Sequence, residues 1–247
     1  MRPSVGVALL FPDLLGTYGD SGNAVVLAQR LRWRETAAEV VTVRSGDPVP
    51  ATCELYVVGG GEDLPQASAA RQLGPLRRAV DGGAAVLAVC AGMQILGTSF
   101  VGPDGVLSDG LGLLDCRTQR GEGRRQVGEI VVEPTPALDL PVLTGYENHA
   151  GITVVGPGAS PVGRVRVGSG NGDGSGTDGA WSGKVLGTYL HGPVLARNPA
   201  LADRLLSWAV GDLAPLDDSE EAALREERLA SATRAGRRRL LPMGARR

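Results

Sequence analysis

Continuous apolar runs and helical periodicity alternate through the first part of the chain. Residues 5–11, 40–43, 55–58 and 84–89 are short runs of Val, Leu, Ala and other apolar residues, the pattern of strands buried on both faces. Val26, Leu27, Leu31 and Trp33 recur at helical spacing after the first run, with Ser21 or Asn23 as the expected cap. Residues 67–80 read as a second helix leading into the strand 84–89. Strand–helix–strand repetition predicts right-handed crossovers and a parallel sheet. Past residue 100 the rhythm changes: residues 113–119, 126–133, 152–155 and 164–167 read as short strands separated by Gly and Pro, hairpin-like. Residues 168–179, rich in Gly, Ser, Asn and Asp, read as a mobile surface loop. A further strand, 184–190, is followed by a helix that Asn198 caps, with Pro199 at its first position and Leu201, Leu205 and Trp208 inward. The predicted class is α/β: a mostly parallel central sheet flanked by helices, with an antiparallel, strand-rich second half. Residues 1–212 form one domain in this reading, and residues 213–247 a charged tail. Fraying is the favoured reading of that tail, which turns arginine-rich at Arg237-Arg238-Arg239, over docking on a partner.

Composition narrows the function classes. With 25 Lys and Arg against 27 Asp and Glu, the chain lacks the basic excess that phosphate contacts to nucleic acid require. Its three cysteines, Cys53, Cys90 and Cys116, show no paired spacing. Neither a disulfide framework nor a zinc site is expected, and a reducing cytoplasm is the default. No run approaches membrane-spanning length, and no cleavable leader is recognisable. No metal site is expected, the glycines at 59–61 do not form a GxGxxG fingerprint and no P-loop is present, so neither standard nucleotide site is supported.

The candidate chemistry lies at Cys90. It directly follows the strand 84–89 and precedes a helical pattern through Met93, Leu96 and Gly97, with small residues at Ala88 and Gly92. That is the arrangement of a nucleophile elbow with sulfur in place of oxygen. The helix behind it aims its free N–H groups at the sulfur, which favours thiolate. The competing reading is a small buried residue in the core. Gly59-Gly60-Gly61 follows another strand and can offer N–H groups to an anion or an oxyanion, or else serve as a flexible connector. The two histidines are His149 and His191. His191 sits at the end of a strand, on the sheet edge where the elbow would present Cys90, and is the natural base. His149 reads as a hydrogen-bonded loop residue.

Together, Gly59–Gly61, the Cys90 elbow and the strand-end His191 resemble a class I glutamine amidotransferase. Val89-Cys90-Ala91-Gly92-Met93-Gln94 and Tyr189-Leu190-His191-Gly192-Pro193 resemble its cobyric-acid-synthase-like branch. Tyr18-Gly19-Asp20-Ser21-Gly22-Asn23, Gly59 to Gln66, and Gly145-Tyr146-Glu147-Asn148-His149-Ala150-Gly151 are similar to the GatD family, glutaminase subunits of lipid II isoglutaminyl synthase. The resemblance covers roughly residues 5–210. It implies hydrolysis of L-glutamine by Cys90 and His191, with the oxyanion held by Ala91 and the Gly60–Gly61 turn. Gln94 would contact substrate. Arg124 or Arg125 would bind the α-carboxylate, Arg124 being favoured; the alternative is a solvated pair. It also implies a Mur-ligase-like (MurT-type) partner in a heterodimer. That partner would bind ATP, leaving this chain without a cofactor, and amidate the D-glutamate of lipid II. Triad enzymes usually carry a glutamate two residues after the histidine; Pro193 stands there. Either a dyad operates, or a carboxylate comes from elsewhere, such as the partner. An amidotransferase for a cobalamin precursor, a non-catalytic regulatory subunit and a Cys–His peptidase are the remaining readings.

Overall fold

The computed structural model describes residues 4–102, 104–121 and 123–240, the last six for their backbone alone. The strands are β1 (Val5–Leu10), β2 (Ala38–Val43), β3 (Leu55–Val58), β4 (Ala85–Val89), β5 (Ser99–Val101), β6 (Leu107–Asp109), β7 (Cys116–Arg120), β8 (Gln126–Pro134), β9 (Leu143–His149), β10 (Gly151–Val155), β11 (Gly163–Val167), β12 (Thr177–Asp178), β13 (Ala180–Ser182) and β14 (Val185–Thr188). The helices are α1 (Gly22–Arg32), α2 (Asp63–Ala70), α3 (Leu76–Asp81), α4 (Ala91–Leu96), α5 (Val194–Arg197), α6 (Pro199–Val210) and α7 (Ser219–Leu240).

The central sheet has the order β13-β14-β4-β3-β1-β2. It is parallel throughout except for the edge pair β13–β14. Every residue of β1, β3, β4 and β14 is buried, as their unbroken apolar runs require when helices cover both faces. Parallel strands carry their carboxyl ends to one edge. The loops after β1, β3, β4 and β14 therefore meet there, at the edge where open α/β sheets place ligands. Two further sheets, β10-β7-β5-β6 and β12-β11-β8-β9, are built mainly from antiparallel pairs, with β5–β7 parallel.

Several local expectations are corrected. The helix expected over residues 67–80 breaks into α2 and α3 around Gly74 and Pro75, where proline disfavours helical backbone before it. Neither Ser21 nor Asn23 caps α1; the buried Asn23 instead accepts the Leu195 N–H at 3.0 Å. Asn198 makes no side-chain cap on α6. Its carboxamide pins β9 to α5, accepting from Thr144 N at 2.9 Å and donating to the carbonyls of Thr144 and Val194. Trp33, expected to face inward, is exposed, while Leu27 and Leu31 are buried. The segment read as a mobile loop is tied down: Ser169 and Gly170 donate their N–H groups to the buried carboxylate of Glu147, and the buried Asn171 bonds both backbone groups of Gly179. Strand β9 is an addition, so His149 ends a strand and not a loop.

The tail expected to fray contains α7, which packs on α5, β8, β9 and β11. Ala232 is buried, and Arg225 donates to the Val142 carbonyl. The side chains of Arg237-Arg238-Arg239 lie outside the described residues. Ahead of α7, Asp218 joins Asp203 in holding the Arg30 guanidinium of α1, each through N–O contacts of 2.7 Å. Burial alone would depress that guanidinium, and the two carboxylates more than reverse it. Among the described residues no helix is long and apolar enough to cross a membrane.

Candidate active site

Cys90 occupies the sharp turn between β4 and α4 with φ 52° and ψ −109°, a backbone conformation that costs a non-glycine residue energy and is held by its surroundings. Its N–H donates to the Thr188 carbonyl of β14 at 2.8 Å, which locks the elbow to the neighbouring strand. The packing also explains Gly92: a Cβ there would lie 2.5 Å from the Val58 carbonyl oxygen. The sulfur-bearing residue is only 7% exposed, yet it lines a cleft of about 130 Å³.

His191 follows β14 and is clamped to β9 by two backbone hydrogen bonds with Tyr146, at 2.8 and 3.1 Å. Its ring is buried, and Nδ1–H donates to Oδ2 of Asp20 at 2.9 Å. Asp20 comes from the loop after β1 and is itself fully buried. The carboxylate left to another part of the chain or to a partner is therefore present in this chain, 171 positions from the histidine it orients. Burial alone would lower the His191 pKa. The hydrogen bond to Asp20, followed by the hydrogen-bond and charge interaction with the adjacent Cys90 sulfur, outweighs that and raises it to about 10. The Tyr18 ring meets the imidazole edge-on at 4.9 Å. Gly60 lies where the three groups converge: a Cβ on it would sit 2.7 Å from His191 Cε1, 3.0 Å from Asp20 Oδ2 and 3.4 Å from Cys90 Cβ.

The same loop changes one expected assignment. The Gly60 N–H donates to Asp20 Oδ2 at 2.9 Å, so it braces the carboxylate and is not free for an oxyanion. Gly61 and Ala91 remain, and both line the cleft beside Cys90. Gln94 and Gln66 lie on the same wall, joined by a 2.8 Å hydrogen bond. Across the cleft stand Arg120 and Arg125, with Glu62 and Asp63 also lining it. Of the two candidate arginines, Arg125 lines the cleft. It donates to the Asn148 carbonyl at 3.1 Å and reaches the Tyr18 hydroxyl at 3.4 Å. Both arginines are exposed, but the favoured Arg124 is not among the cleft-lining residues and offers its carbonyl to Gln126.

The family model for a CobB/CobQ-like glutamine amidotransferase domain matches residues 6–199. The chain is 36% identical over 202 residues to the lipid II isoglutaminyl synthase (glutamine-hydrolyzing) subunit GatD of Staphylococcus aureus strain N315, covering 80% of this chain and 81% of that one. The chain belongs to the GatD family of glutamine amidotransferases. The Streptococcus pneumoniae (strain R6) GatD subunit is 32% identical, with 83% of this chain and 80% of that one covered. Cobyric acid synthase of Sphingopyxis alaskensis is 33% identical over 185 residues, and the match takes in only 35% of that longer protein. The fold is shared with a solved glutamine amidotransferase (TM-score 0.56, 23% identity, 82% of this chain and 98% of that one).

Within this GatD-type site, sequence reasoning missed two residues. Asp20 was visible as part of a turn-rich motif after the first strand. Its chemistry needed the knowledge that this loop and the one carrying His191 leave the same sheet edge. His149, read as a loop residue, is buried on the cleft wall and stacks on Tyr189 at 3.7 Å between ring centroids.

Proposed function

We propose that the chain hydrolyses L-glutamine to glutamate and ammonia and passes the ammonia to a Mur-ligase-like partner. That partner, with its own ATP, would amidate the D-glutamate carboxyl of lipid II. The observation that carries the catalytic part is the convergence of Cys90, His191 and Asp20 around Gly60. The two GatD relatives carry the choice of acceptor.

In this reading Cys90 Sγ attacks the side-chain amide carbon of glutamine. The oxyanion that forms is met by the N–H groups of Gly61 and Ala91; one such donor is worth about 3 kcal/mol of barrier. His191, kept protonated at neutral pH by Asp20, gives the Nε2 proton to the departing ammonia. The thioester is then attacked by water, whose proton returns to Nε2, and glutamate leaves as the thiolate that began the cycle is restored. Asp20 keeps the Nδ1–H tautomer in place, so Nε2 faces the sulfur through both steps. Arg125 takes the α-carboxylate through charge-assisted hydrogen bonds.

The test is release of ammonia and glutamate from glutamine by the purified chain, alone and with a Mur-ligase-like partner. Cys90→Ala should abolish turnover while leaving the circular dichroism spectrum and melting temperature close to wild type, because it removes the attacking atom and little volume. Undiminished turnover in Cys90→Ala would reject the reading.

A further inference from the structure

Gly151 and the buried His149, at the end of the motif 145–151, are not used by the chemistry above. Both lead to Tyr189. We infer that Tyr189 is a positioning residue that fixes the orientation of the Gln94 carboxamide through a buried hydrogen-bond relay, with His149 and Gly151 clamping it; this deepens the glutaminase reading and rests on it.

The relay is continuous. Gln66 Nε2–H donates to Gln94 Oε1 at 2.8 Å, and Gln94 Nε2–H donates to the Tyr189 hydroxyl at 3.1 Å. The hydroxyl lies 2.7 Å from Thr153 Oγ1, which lies 2.8 Å from Thr118 Oγ1. A phenol oxygen that accepts from Gln94 sends its single proton onward, so Tyr189 donates to Thr153 and Thr153 to Thr118. Thr153 and Tyr189 are fully buried and away from the cleft lining, so no water substitutes for the link between them, and an unmade bond there leaves a buried polar group. A free carboxamide can turn over and exchange its oxygen and nitrogen. Here a turn of Gln94 alone would set nitrogen against the Gln66 donor and leave the Tyr189 hydroxyl without its donor, so the orientation of Gln94 is tied to the rest of the relay. The second Nε2–H of Gln94 is then available to an acceptor on the substrate.

The clamp comes from the antiparallel half. The His149 ring stacks on Tyr189 at 17° between planes, and its Nδ1–H donates to the Gly151 carbonyl at 3.0 Å. Gly151 has no room for a side chain: a Cβ would lie 2.7 Å from Gln94 Nε2 and 3.0 Å from the Tyr189 hydroxyl.

Tyr189→Phe removes one oxygen from the relay and little volume; Thr153→Val breaks it one link further out. Two readouts are made on the full chain. The first is hydrogen exchange of the Gln94 side-chain amide by NMR, identified by its loss in Gln94→Glu. Exchange should quicken at least tenfold in Tyr189→Phe and less in Thr153→Val. The second is the split between KM and kcat. KM for glutamine should rise about tenfold in Tyr189→Phe, with kcat falling less than threefold and with Cys90 alkylation by iodoacetamide unchanged. A merely structural role would instead lower the melting temperature and alter alkylation together. Unchanged amide exchange in Tyr189→Phe, or an unchanged KM in an active variant, overturns the relay. Failure of the wild type to turn over glutamine overturns the glutaminase reading, and the amide exchange still decides the relay.

Discussion

The parallel sheet and the antiparallel half meet at one cleft and contribute differently to it. Cys90, Asp20, His191 and the Gly59–Gly61 loop all leave carboxyl ends of buried parallel strands. Each is held by backbone contacts to its neighbour, such as the Cys90 bond to Thr188 and the Gly60 bond to Asp20. The antiparallel half supplies the facing wall instead: Thr118, Gln119, Arg120, Arg125, His149 and Gly151. Strand ends of a sheet buried on both faces are rigid and converge, which suits groups that must meet within a hydrogen-bond length. The edges and turns of twisted antiparallel strands present longer side chains over a wider area, which suits reading a substrate's shape and charge. Changes on the first side should therefore act on kcat, and changes on the second on KM.

The largest effect should come from the buried pair. Asp20→Asn should cut kcat by about 10²- to 10⁴-fold with little change in KM, because the imidazole loses the carboxylate that orients it. A KM effect without a kcat effect would place Asp20 on the substrate side and break the comparison. The same variant has a signature in pH. His191 is held near 10 against an ordinary 6.5. Its protonation thus stabilises the fold fully below about pH 6.5, and that contribution is lost as pH rises toward 10. Wild type should lose denaturation midpoint across this window. Asp20→Asn should lose less, and NMR titration should show the His191 ring deprotonating at lower pH.

Gly60→Ala should be next. Its Cβ would press on His191 and Asp20 at once, so kcat should fall about tenfold or more, since small misplacement of reacting groups is costly. Steady-state kinetics beside a melting curve separates this from unfolding. Arg125→Ala should raise KM about 10- to 100-fold, the loss of a charge-assisted contact, with kcat nearly kept. Arg124→Ala should change neither constant by more than twofold, and equal effects of the two arginines would reject the choice between them. Smallest for activity is Arg30→Ala. It should cost about 2–3 kcal/mol of stability in urea unfolding, by leaving Asp203 and Asp218 without their shared cation. Activity per folded molecule should remain.

Legibility in the sequence follows the same division. Residues 55–58 and 84–89 read as buried strands because strands covered on both faces need unbroken apolar runs. The Cys90 elbow read as a turn because Ala88 and Gly92 are small where packing forbids size. Strand β9 escaped because its buried positions include Thr144, Glu147 and His149, which break any apolar pattern; Glu147 is buried because the N–H groups of Ser169 and Gly170 reach it from a distant segment. The charged tail misled for a related reason. Its helix is anchored by Arg225 on a carbonyl and by Asp218 on Arg30, not by an apolar stripe.

Local pattern by itself was enough to expect the parallel core, the elbow and the pairing of Cys90 with His191, since apolar continuity and glycine placement are imposed residue by residue. Only the tertiary structure decided which carboxylate serves that histidine, which arginine faces the cleft, and that the Gly60 N–H belongs to Asp20. Those are pairings between groups far apart in the chain, and hydrogen-bond partners are selected by distance in space, on which spacing along the chain is silent.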